Sequence, residues 1–271
     1  MTFERFASAH GLMIRDLYAD GRVHRCATVD HPRTRNGAYK YTGEWGWVQN
    51  WAEHAEPIIW RAQGVSEAVV RRDMEADRKR DADRRQRAAQ QASEIVARCR
   101  FDSHPYLDRK GFPEEQGLVD YDGRLVIPMR DVGSYSRVNS VQWISSAGEK
   151  KFLPGGTAKA SAFVIGSGPE AWLCEGFATG LSVRAGLQRL YRPARVVVCF
   201  SAGNIAAVAA RLSGVRFVVA DNDASGTGAR YAEQTGLSWV MPPDVGTDAN
   251  DYHQSAGVMA LAKLLRKVIR K

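Results

Sequence analysis

Residues 216–228 read RFVVADNDASGTG, an apolar run that ends in two aspartates and a glycine-rich turn. Apolar runs of four to six residues recur on either side of this stretch, and helical patterns of about ten residues separate them. This alternation predicts an α/β fold, a parallel sheet flanked by helices, for the C-terminal part of the chain. The predicted strands are residues 171–175, 195–200, 216–220 and 238–241, and the predicted helices are residues 178–191, 204–212, 226–235 and 255–271.

Three acids lie where the predicted strands end. Glu175 closes the first run, Asp221 closes the third, and Asp223 follows two residues later. Side chains two residues apart in extended chain share a face, so Asp221 and Asp223 can converge. Open parallel sheets bind ligands outside the carboxyl ends of their strands. Glu175 joins the same edge if the first and third strands are neighbours.

Carboxylates without a nearby Cys or His favour a hard cation. Mg²⁺ takes one or two carboxylates and fills its other positions with water and phosphate, and Mn²⁺ suits the same oxygen ligands. Residues 246–251, GTDAND, follow the fourth strand, and Asp248 and Asp251 add to the predicted site or hold a second ion. The alternative for an Asp-Asn-Asp sequence is a turn and a helix cap, because Asp and Asn favour both.

The residues that precede the α/β region differ from it in composition and in predicted secondary structure. Aromatic and turn residues dominate its start, where residues 39–48 predict a hairpin with a glycine turn. A charged helix follows, with Ser66 as its cap and no Gly or Pro up to residue 100. Three strands are then predicted, at residues 118–121, 124–130 and 138–144. The predicted domains are a β-rich module at residues 1–62, a solvated helical linker at 63–100, a basic mixed α+β subdomain at 101–164 and the α/β domain at 165–271.

The composition restricts the partners and the compartment. The formal net charge of +8 favours polyanions, because neutralised phosphates release their counterions. Apolar runs fall short of the roughly eighteen residues that a membrane span needs, so no membrane contact is expected, and the N-terminus does not read as a secretory signal. The four cysteines are too far apart in sequence for paired zinc ligands, and we expect reduced thiols and a cytoplasmic location. They are Cys26, Cys99, Cys174 and Cys199.

The acidic motifs resemble those of the Toprim family, which is found in bacterial-type primases, topoisomerases and some nucleases. The matching segments are residues 173–180, LCEGFATG, residues 220–228, ADNDASGTG, and residues 246–252, GTDANDY. Their order and spacing are much more specific than any single motif. The resemblance covers roughly residues 165–255. It implies a Toprim fold whose catalytic, metal-binding acids are Glu175, Asp221 and Asp223.

Upstream segments resemble phage and plasmid primases of the DnaG-like type. These segments are residues 104–111, HPYLDRKG, residues 123–129, GRLVIPM, and residues 148–152, GEKKF. In such primases a basic subdomain helps to hold the template and the incoming nucleotides. The resemblance implies that Arg124 and Lys151 face phosphate. The other basic residues of this predicted nucleotide and DNA site are Lys110, Arg130 and Lys150.

The N-terminal region departs from the primase pattern. Primases of this class begin with a zinc ribbon, whereas no cysteine pair follows Cys26 and His31 here. The resemblance therefore implies a ribbon-like module that has lost its metal. Its aromatic residues either stack on bases or form the core of a small β domain.

The resemblance to these primases implies an enzyme. The implied activity is that of a DNA primase, which makes RNA on a single-stranded DNA template from ribonucleoside triphosphates by metal-dependent nucleotidyl transfer. One rival is a Toprim nuclease that cuts DNA with the same acids. The other is a non-catalytic accessory module that binds single strands. The sequence contains no G-x-x-x-x-G-K-[ST] motif, so a replicative helicase partner is expected to be a separate protein.

Overall fold

The computed structural model describes residues 1–54 and 56–269 of the 271-residue chain. The chain divides into two compact units, Met1–Arg80 and Asp81–Lys271. Within the described ranges, each helix is either too short or too polar to cross a membrane.

The N-terminal unit is built on an antiparallel sheet of strands β1 to β5, paired in chain order, with helix α1 packed against it. The predicted hairpin is confirmed: Tyr39 pairs with Val48, and Gly43 in the turn has a φ of 93°. Tyr39 and Trp45 are buried, so these two aromatic side chains belong to the core. The elements are α1 (Phe3–Ala9), β1 (Leu12–Met13), β2 (Val23–Thr28), β3 (Gly37–Tyr41), β4 (Trp45–Asn50) and β5 (Ile58–Arg61).

Helix α2 (Glu67–Arg98) is the predicted charged helix, and the Ser66 hydroxyl accepts a hydrogen bond from the Val69 N–H at 3.4 Å as a cap. The prediction of a solvated linker is wrong for its second half. Ala88 and Ala92 are buried in a cluster with apolar residues of the C-terminal unit. Alanines four residues apart form a narrow apolar stripe, which the surrounding arginines obscure in the sequence.

The three strands predicted after residue 101 are confirmed, and a tight turn joins the first two of them. Gly123 has a φ of 72°, and its N–H donates to the Asp120 carbonyl. The elements of this part are β6 (Arg100–Asp102), α3 (Pro105–Arg109), β7 (Gly117–Val119), β8 (Leu125–Asp131), β9 (Val138–Ile144) and β10 (Lys150–Phe152).

The predicted strand–helix alternation is confirmed in the remainder of the chain. Strands β12 to β15 are parallel, and β11 joins them to β8 through antiparallel pairing on both of its sides. The elements are β11 (Ser161–Ile165), β12 (Glu170–Cys174), α4 (Phe177–Arg189), β13 (Ala194–Val198), α5 (Ala202–Ala209), β14 (Arg216–Val219), α6 (Thr227–Gln234), β15 (Ser238–Val240), α7 (Ala249–Ala256) and α8 (Val258–Ile269).

Burial on both faces explains why the central strands are almost wholly apolar. Trp172 belongs to one core cluster together with residues of α4 and α8, and its neighbour Leu173 belongs to a second cluster with residues of α5. Strands covered on both sides read as continuous hydrophobic runs, and each fully buried side chain of this size contributes about 1.5–3 kcal/mol. These runs therefore fix the sheet, and the polar residues that follow them lie at its edge.

The helix predicted over residues 255–271 is confirmed as α8 (Val258–Ile269), but its first residues belong to a separate helix that the sequence did not predict. The structure has two helices, α7 and α8, separated by Gly257 with a φ of 85°. Asp248 starts α7 within the segment that the sequence presented as an acidic cluster. The last two residues of the predicted helix, 270 and 271, lie outside the described residues.

Candidate functional site

The acidic residues gather at the carboxyl edge of the parallel sheet. Glu175 follows the last residue of β12, and Asp221 lies two residues beyond the end of β14. Strands β12 and β14 are paired in parallel, with Leu173 opposite Val218. The sequence left open whether these strands are neighbours, and their pairing brings Glu175 and Asp221 to the same edge.

Asp221 is the most electrostatically strained acid of this edge. Its Oδ1 atom is buried and has no hydrogen-bond partner among the described residues. Burial, together with the charges of Glu175 and Asp248, raises the pKa of Asp221 to about 7, and Lys150 opposes this shift. Carboxylates held this close destabilise one another unless a cation or a proton lies between them.

Glu175 shares this environment. Burial raises the pKa of Glu175 above its ordinary value, and the charges of Asp223 and Asp248 act in the same direction. The backbone N–H of Ala202 opposes the shift by a hydrogen bond to the Glu175 carboxylate. Ala202 is the first residue of α5, so the start of this helix points its N–H groups at the acidic edge.

Asp223 is held by the start of helix α6. Its carboxylate accepts hydrogen bonds from the Ser225 hydroxyl and from the N–H groups of Ser225, Thr227 and Gly228. These bonds, led by that of the Ser225 hydroxyl, hold the pKa of Asp223 well below its usual range. Asp223 thus makes the turn and cap contacts that the alternative for an Asp-Asn-Asp sequence predicts. The role of Asp223 as a metal ligand stays a prediction.

Asp248 and Asp251 form a reciprocal cap at the start of helix α7. Asp248 Oδ1 accepts from the N–H groups of Asn250 and Asp251 at 2.7 and 2.9 Å, and Asp251 Oδ2 accepts from the Asp248 N–H at 3.2 Å. The second oxygen of Asp248 accepts from the Thr179 hydroxyl at 3.1 Å. Asp248 thus faces the acidic edge from a fixed position, whereas Asp251 lies 3.8 Å from the Lys110 ammonium.

Asn222 joins the two acidic segments. Its backbone exchanges hydrogen bonds with Gly246 and Thr247, and its side chain donates to the Pro242 and Pro243 carbonyls at 3.0 and 3.2 Å. The loop that carries Asp248 is therefore fastened to the end of β14. In the sequence, Asn222 enters only the turn-and-cap alternative for the Asp-Asn-Asp segment, and its contact with the loop at residues 242–247 was not predicted. Its amide, which can donate and accept at once, was the available signal.

The predicted basic residues divide between the two faces of the sheet. Lys150 pairs in register with Ile144, and its Nζ lies 4.0 Å from the point where a Cβ on Gly176 would stand. Lys151 pairs with Trp143 instead, so its side chain leaves the opposite face. The structure therefore brings Lys150 to the acids, and it turns Lys151, which the resemblance assigned to phosphate, to the other face.

The remaining basic residues already have protein partners. Arg124 makes ion pairs with Asp120 and Asp122, both at 2.7 Å, and lies 4.7 Å over the Trp143 ring. Arg130 donates to the carbonyls of Tyr135 and Ser136 and so holds its own loop. Each of these contacts gives the arginine a structural task, and phosphate binding by Arg124 and Arg130 stays a prediction.

Tyr106 is a residue near the site that the sequence reasoning passed over. It is 3% exposed, and its hydroxyl has no hydrogen-bond partner within the described ranges. Burial, followed by the charge of Asp248, raises the pKa of Tyr106 to about 12. The side chain therefore remains a neutral phenol at physiological pH. Its place in the segment HPYLDRKG was the only signal in the sequence.

Close backbone approach around Asp221 depends on one glycine. A Cβ on Gly228 would lie 2.1 Å from the Asp221 carbonyl oxygen. Gly228 is the second residue of α6, and its N–H binds Asp223. This glycine lets the start of α6 lie directly against the acidic edge.

The acids suit Mg²⁺ but do not enclose it. In residues 1–54 and 56–269, no group of three or more His, Cys, Asp or Glu side chains is close enough to hold a metal ion. Mg²⁺ needs only one or two carboxylates when water and phosphate complete its shell. The unpartnered Oδ1 of Asp221, with Glu175 beside it and only oxygen donors in the set, fits that requirement.

Known proteins are similar to this chain in part of its sequence and in its fold. Residues 170–258 match the Toprim domain family. The chain is similar in structure to the primase fragment of the bacteriophage T7 primase-helicase protein, with 15% identity and a TM-score of 0.41 over 62% of this chain and 75% of that chain. A chain from a complex of the T7 lagging-strand DNA polymerase with primase domains, an RNA/DNA hybrid and dTTP has 15% identity and a TM-score of 0.42, over 64% and 92% of the two chains. The DnaG catalytic core has 15% identity and a TM-score of 0.37, over 68% and 71%. The chain thus carries a Toprim domain at residues 170–258.

Proposed function

We propose that this protein is a DNA primase. One observation carries the proposal: Glu175, Asp221, Asp223 and Asp248 act on one another electrostatically at the carboxyl edge of the Toprim sheet, with Lys150 beside them. The primase-like segments upstream of the Toprim domain and the net charge of +8 favour nucleic acid as the substrate.

The proposed reaction joins two ribonucleotides on a single-stranded template. The 3′-hydroxyl of one nucleotide loses its proton to solvent and attacks the α-phosphate of the next. A new P–O bond forms, and pyrophosphate leaves with the electron pair of the broken bond. Mg²⁺, when bound, favours the deprotonated hydroxyl and neutralises charge that develops on the phosphates. The protein supplies no nucleophile of its own in this reaction.

Each acid has a separate task in the proposal. Asp221 and Glu175 are the side chains that would hold the metal, because Asp221 has an oxygen without a partner and Glu175 lies beside it. Asp223 and Asp248 fix the starts of α6 and α7 and add negative charge to the same edge. Lys150 is the residue that we propose contacts a substrate phosphate, because its ammonium lies beside Gly176, which follows Glu175.

The expected partners follow from this activity. They are a single-stranded DNA template, ribonucleoside triphosphates and a separate replicative helicase. Mn²⁺ could replace Mg²⁺, since both accept oxygen ligands.

The test is primer synthesis by the full chain on single-stranded DNA with the four ribonucleotides and Mg²⁺. RNA should appear with the wild-type protein and with Lys151→Ala, should fall strongly with Lys150→Ala, and should be absent with Asp221→Asn. Lys151 is the matched control because it follows Lys150 in β10 but faces the other side. Fragmented template would indicate a nuclease. Intact template without RNA would indicate an accessory module, and either result would reject the primase.

A further inference from the structure

We propose that Phe152 stacks on the base of the ribonucleotide whose phosphate Lys150 contacts. This inference rests on the proposed function and deepens it, because the reaction described above leaves the base without a partner on the protein. Phe152 is the last residue of β10, and it is 46% exposed. Aromatic side chains are usually buried because of their large apolar area, so an exposed ring beside a site has a surface available to a ligand.

The curvature of the large sheet brings β10 to the acidic edge. Four strands separate β10 from β12 in the sheet order. In a flat sheet, five intervals of about 4.8 Å would hold the two strands roughly 24 Å apart, which a lysine side chain cannot span. Instead the Lys150 Nζ lies 4.0 Å from the point where a Cβ on Gly176 would stand, directly after Glu175. The sheet therefore curls, and one face of β10 is turned toward the acids.

Phe152 lies on the same face of β10 as Lys150. Side chains two residues apart in a strand point to the same side, whereas Lys151 between them points to the other. The Cα atoms of Lys150 and Phe152 are about 7 Å apart in extended chain. The base and the α-phosphate of one nucleotide are separated by a similar distance. A phosphate at Lys150 thus leaves its own base near the ring of Phe152.

Phe200 holds the ring of Phe152 beside the acids. The two rings meet edge to face, with 6.3 Å between centroids and 78° between planes. The Phe200 N–H donates to the Glu175 carbonyl at 2.8 Å, so the ring pair lies next to the acidic edge. An edge-to-face contact covers at most one face of each ring. The other face of Phe152 is left for a flat ligand.

The backbone of Phe200 is unusual at this point. Its φ is 69°, in the left-handed region that residues other than glycine rarely adopt. Such conformations cluster at functional sites. Helix α5 begins two residues later with Ala202, whose N–H binds the Glu175 carboxylate. One turn therefore positions both the ring that supports Phe152 and the N–H that holds Glu175.

A nucleobase matches the exposed ring of Phe152 better than a sugar or a phosphate does. Each base has a flat π-face, and stacking on an aromatic side chain is tolerant of the identity of the base. A template-directed polymerase must accept all four ribonucleotides at one position. Phe152 thus holds the base in place, and the choice among the bases is left to the template.

Equilibrium dialysis of the full chain in Mg²⁺, with labelled ATP and separately with labelled inorganic tripolyphosphate, distinguishes contacts to the base from contacts to the phosphates. Phe152→Ala should weaken ATP binding about tenfold and change tripolyphosphate binding by less than about twofold. GTP, CTP and UTP should lose affinity by similar factors, because every base can stack. Phe152→Tyr keeps an aromatic ring and should bind ATP like the wild type.

The matched control is Tyr191→Ala, which should bind both ligands like the wild type. Tyr191 is 93% exposed and lies beyond the end of α4, whereas the acidic edge is at the start of that helix. In primer synthesis, Phe152→Ala should raise KM for each ribonucleotide about tenfold and leave kcat within about twofold, because stacking is equal in the ground state and the transition state.

Three results would overturn the inference. If Phe152→Ala binds ATP as tightly as the wild type, stacking is rejected and the proposed primase activity stands. If the variant loses affinity for ATP and for tripolyphosphate by equal factors, the substitution has damaged the site as a whole, and Phe152 has no separate role toward the base. If the wild-type protein binds neither ligand, the proposed function is rejected and the inference with it.

Discussion

At the scale of single residues, Asp221 lowers the stability of the fold at the position where we propose that a cation binds. The chain buries this carboxylate, leaves Oδ1 without a partner and surrounds it with other acids. A residue selected for stability alone would carry no charge there. The strain is the expected consequence of building a cation site from carboxylates.

Asp221→Asn should stabilise the protein in the absence of divalent ions. The pKa of Asp221 in the folded protein is raised from 3.8 to about 7. The wild-type protein therefore loses free energy of unfolding as the pH rises, because the folded state resists ionisation of this carboxyl group. This loss is absent below about pH 4 and complete above about pH 7. The variant should gain about 2–4 kcal/mol in the free energy of unfolding at pH 8, at about 1.4 kcal/mol per pKa unit. Urea denaturation in EDTA at pH 8 and pH 4.5 measures the difference.

Asp223→Asn is the control for this measurement. Hydrogen bonds hold the pKa of Asp223 below its usual range, so its charge favours the folded state and the substitution should destabilise the protein at pH 8. Loss of stability in both variants at pH 8 would contradict the assignment of Asp221 as the strained acid.

Gly228→Ala tests the close contact beneath Asp221. A Cβ would lie 2.1 Å from the Asp221 carbonyl oxygen, so the start of α6 must move away. We expect a loss of about 1–3 kcal/mol in thermal or chemical unfolding. Gly203→Ala is the control, since its Cβ would lie 3.6 Å from the Tyr231 ring, which is an ordinary contact. Equal stability of the two variants would rule out the contact.

At the scale of secondary-structure elements, helix α7 is tied to the protein by a buried amide. Asn250 is fully buried, donates to the Lys110 carbonyl at 2.9 Å and to the Ser182 hydroxyl at 3.0 Å, and accepts from Gln254 at 2.9 Å. These bonds connect α7 to α4 and to the end of α3. They hold the helix that Asp248 caps.

Asn250→Ala should therefore weaken both the fold and the site. It leaves the Lys110 carbonyl and the Ser182 hydroxyl with one partner fewer in a buried place, at a cost of about 2–3 kcal/mol. Ser255→Ala, an exposed change on the same helix, should cost less than about 1 kcal/mol. Chemical denaturation compares the variants, and similar losses in both would contradict the anchoring role.

Helix α2 provides a second test at this scale. Ala92 is fully buried in the cluster with Val126 and Leu153, whereas Ala82 is exposed on the same helix. Ala92→Arg should cost about 2–4 kcal/mol in the free energy of unfolding, because it overfills the contact and buries a charge. Ala82→Arg should leave stability within about 0.5 kcal/mol. If Ala92→Arg is as stable as the wild type, the second half of α2 is solvated, as the sequence predicted.

Strands and helices of the α/β region could be predicted because each apolar run is bounded by polar turns. Helix α7 could not, since Asp248 and Asp251 were interpreted only as ligands although they cap a helix. The stripe on α2 was missed because alanine adds little apolar signal beside eight basic residues between positions 71 and 87.

At the scale of the whole molecule, strand order decides which residues meet. The sequence predicts parallel strands but not that β11 runs antiparallel between β8 and β13. This pairing makes the basic subdomain and the Toprim domain one continuous sheet. The sequence predicts that Glu175 and Asp221 converge only if β12 and β14 are neighbours, and the pairing of these strands supplies that condition.

Sheet register explains why the positions of the basic side chains were predicted less accurately than those of the acids. Lys150 and Lys151 are neighbours in sequence, and only the pairing of β10 with β9 shows which of them faces the acids. A shift of one residue would exchange their faces. No local pattern in residues 148–152 carries that information, whereas the predicted strand ends place each acid at an edge of the sheet.

The most direct test of the account is the rate of the first phosphodiester bond on single-stranded DNA, measured for the wild type and for Asp221→Asn. We expect a loss of about a thousandfold or more in the variant, because a metal site contributes several kcal/mol to the stabilisation of the transition state. The same variant should be more stable than the wild type in EDTA, so misfolding cannot explain the loss. A variant that forms the bond at the wild-type rate would contradict the assignment of Asp221 and, with it, the metal-dependent mechanism.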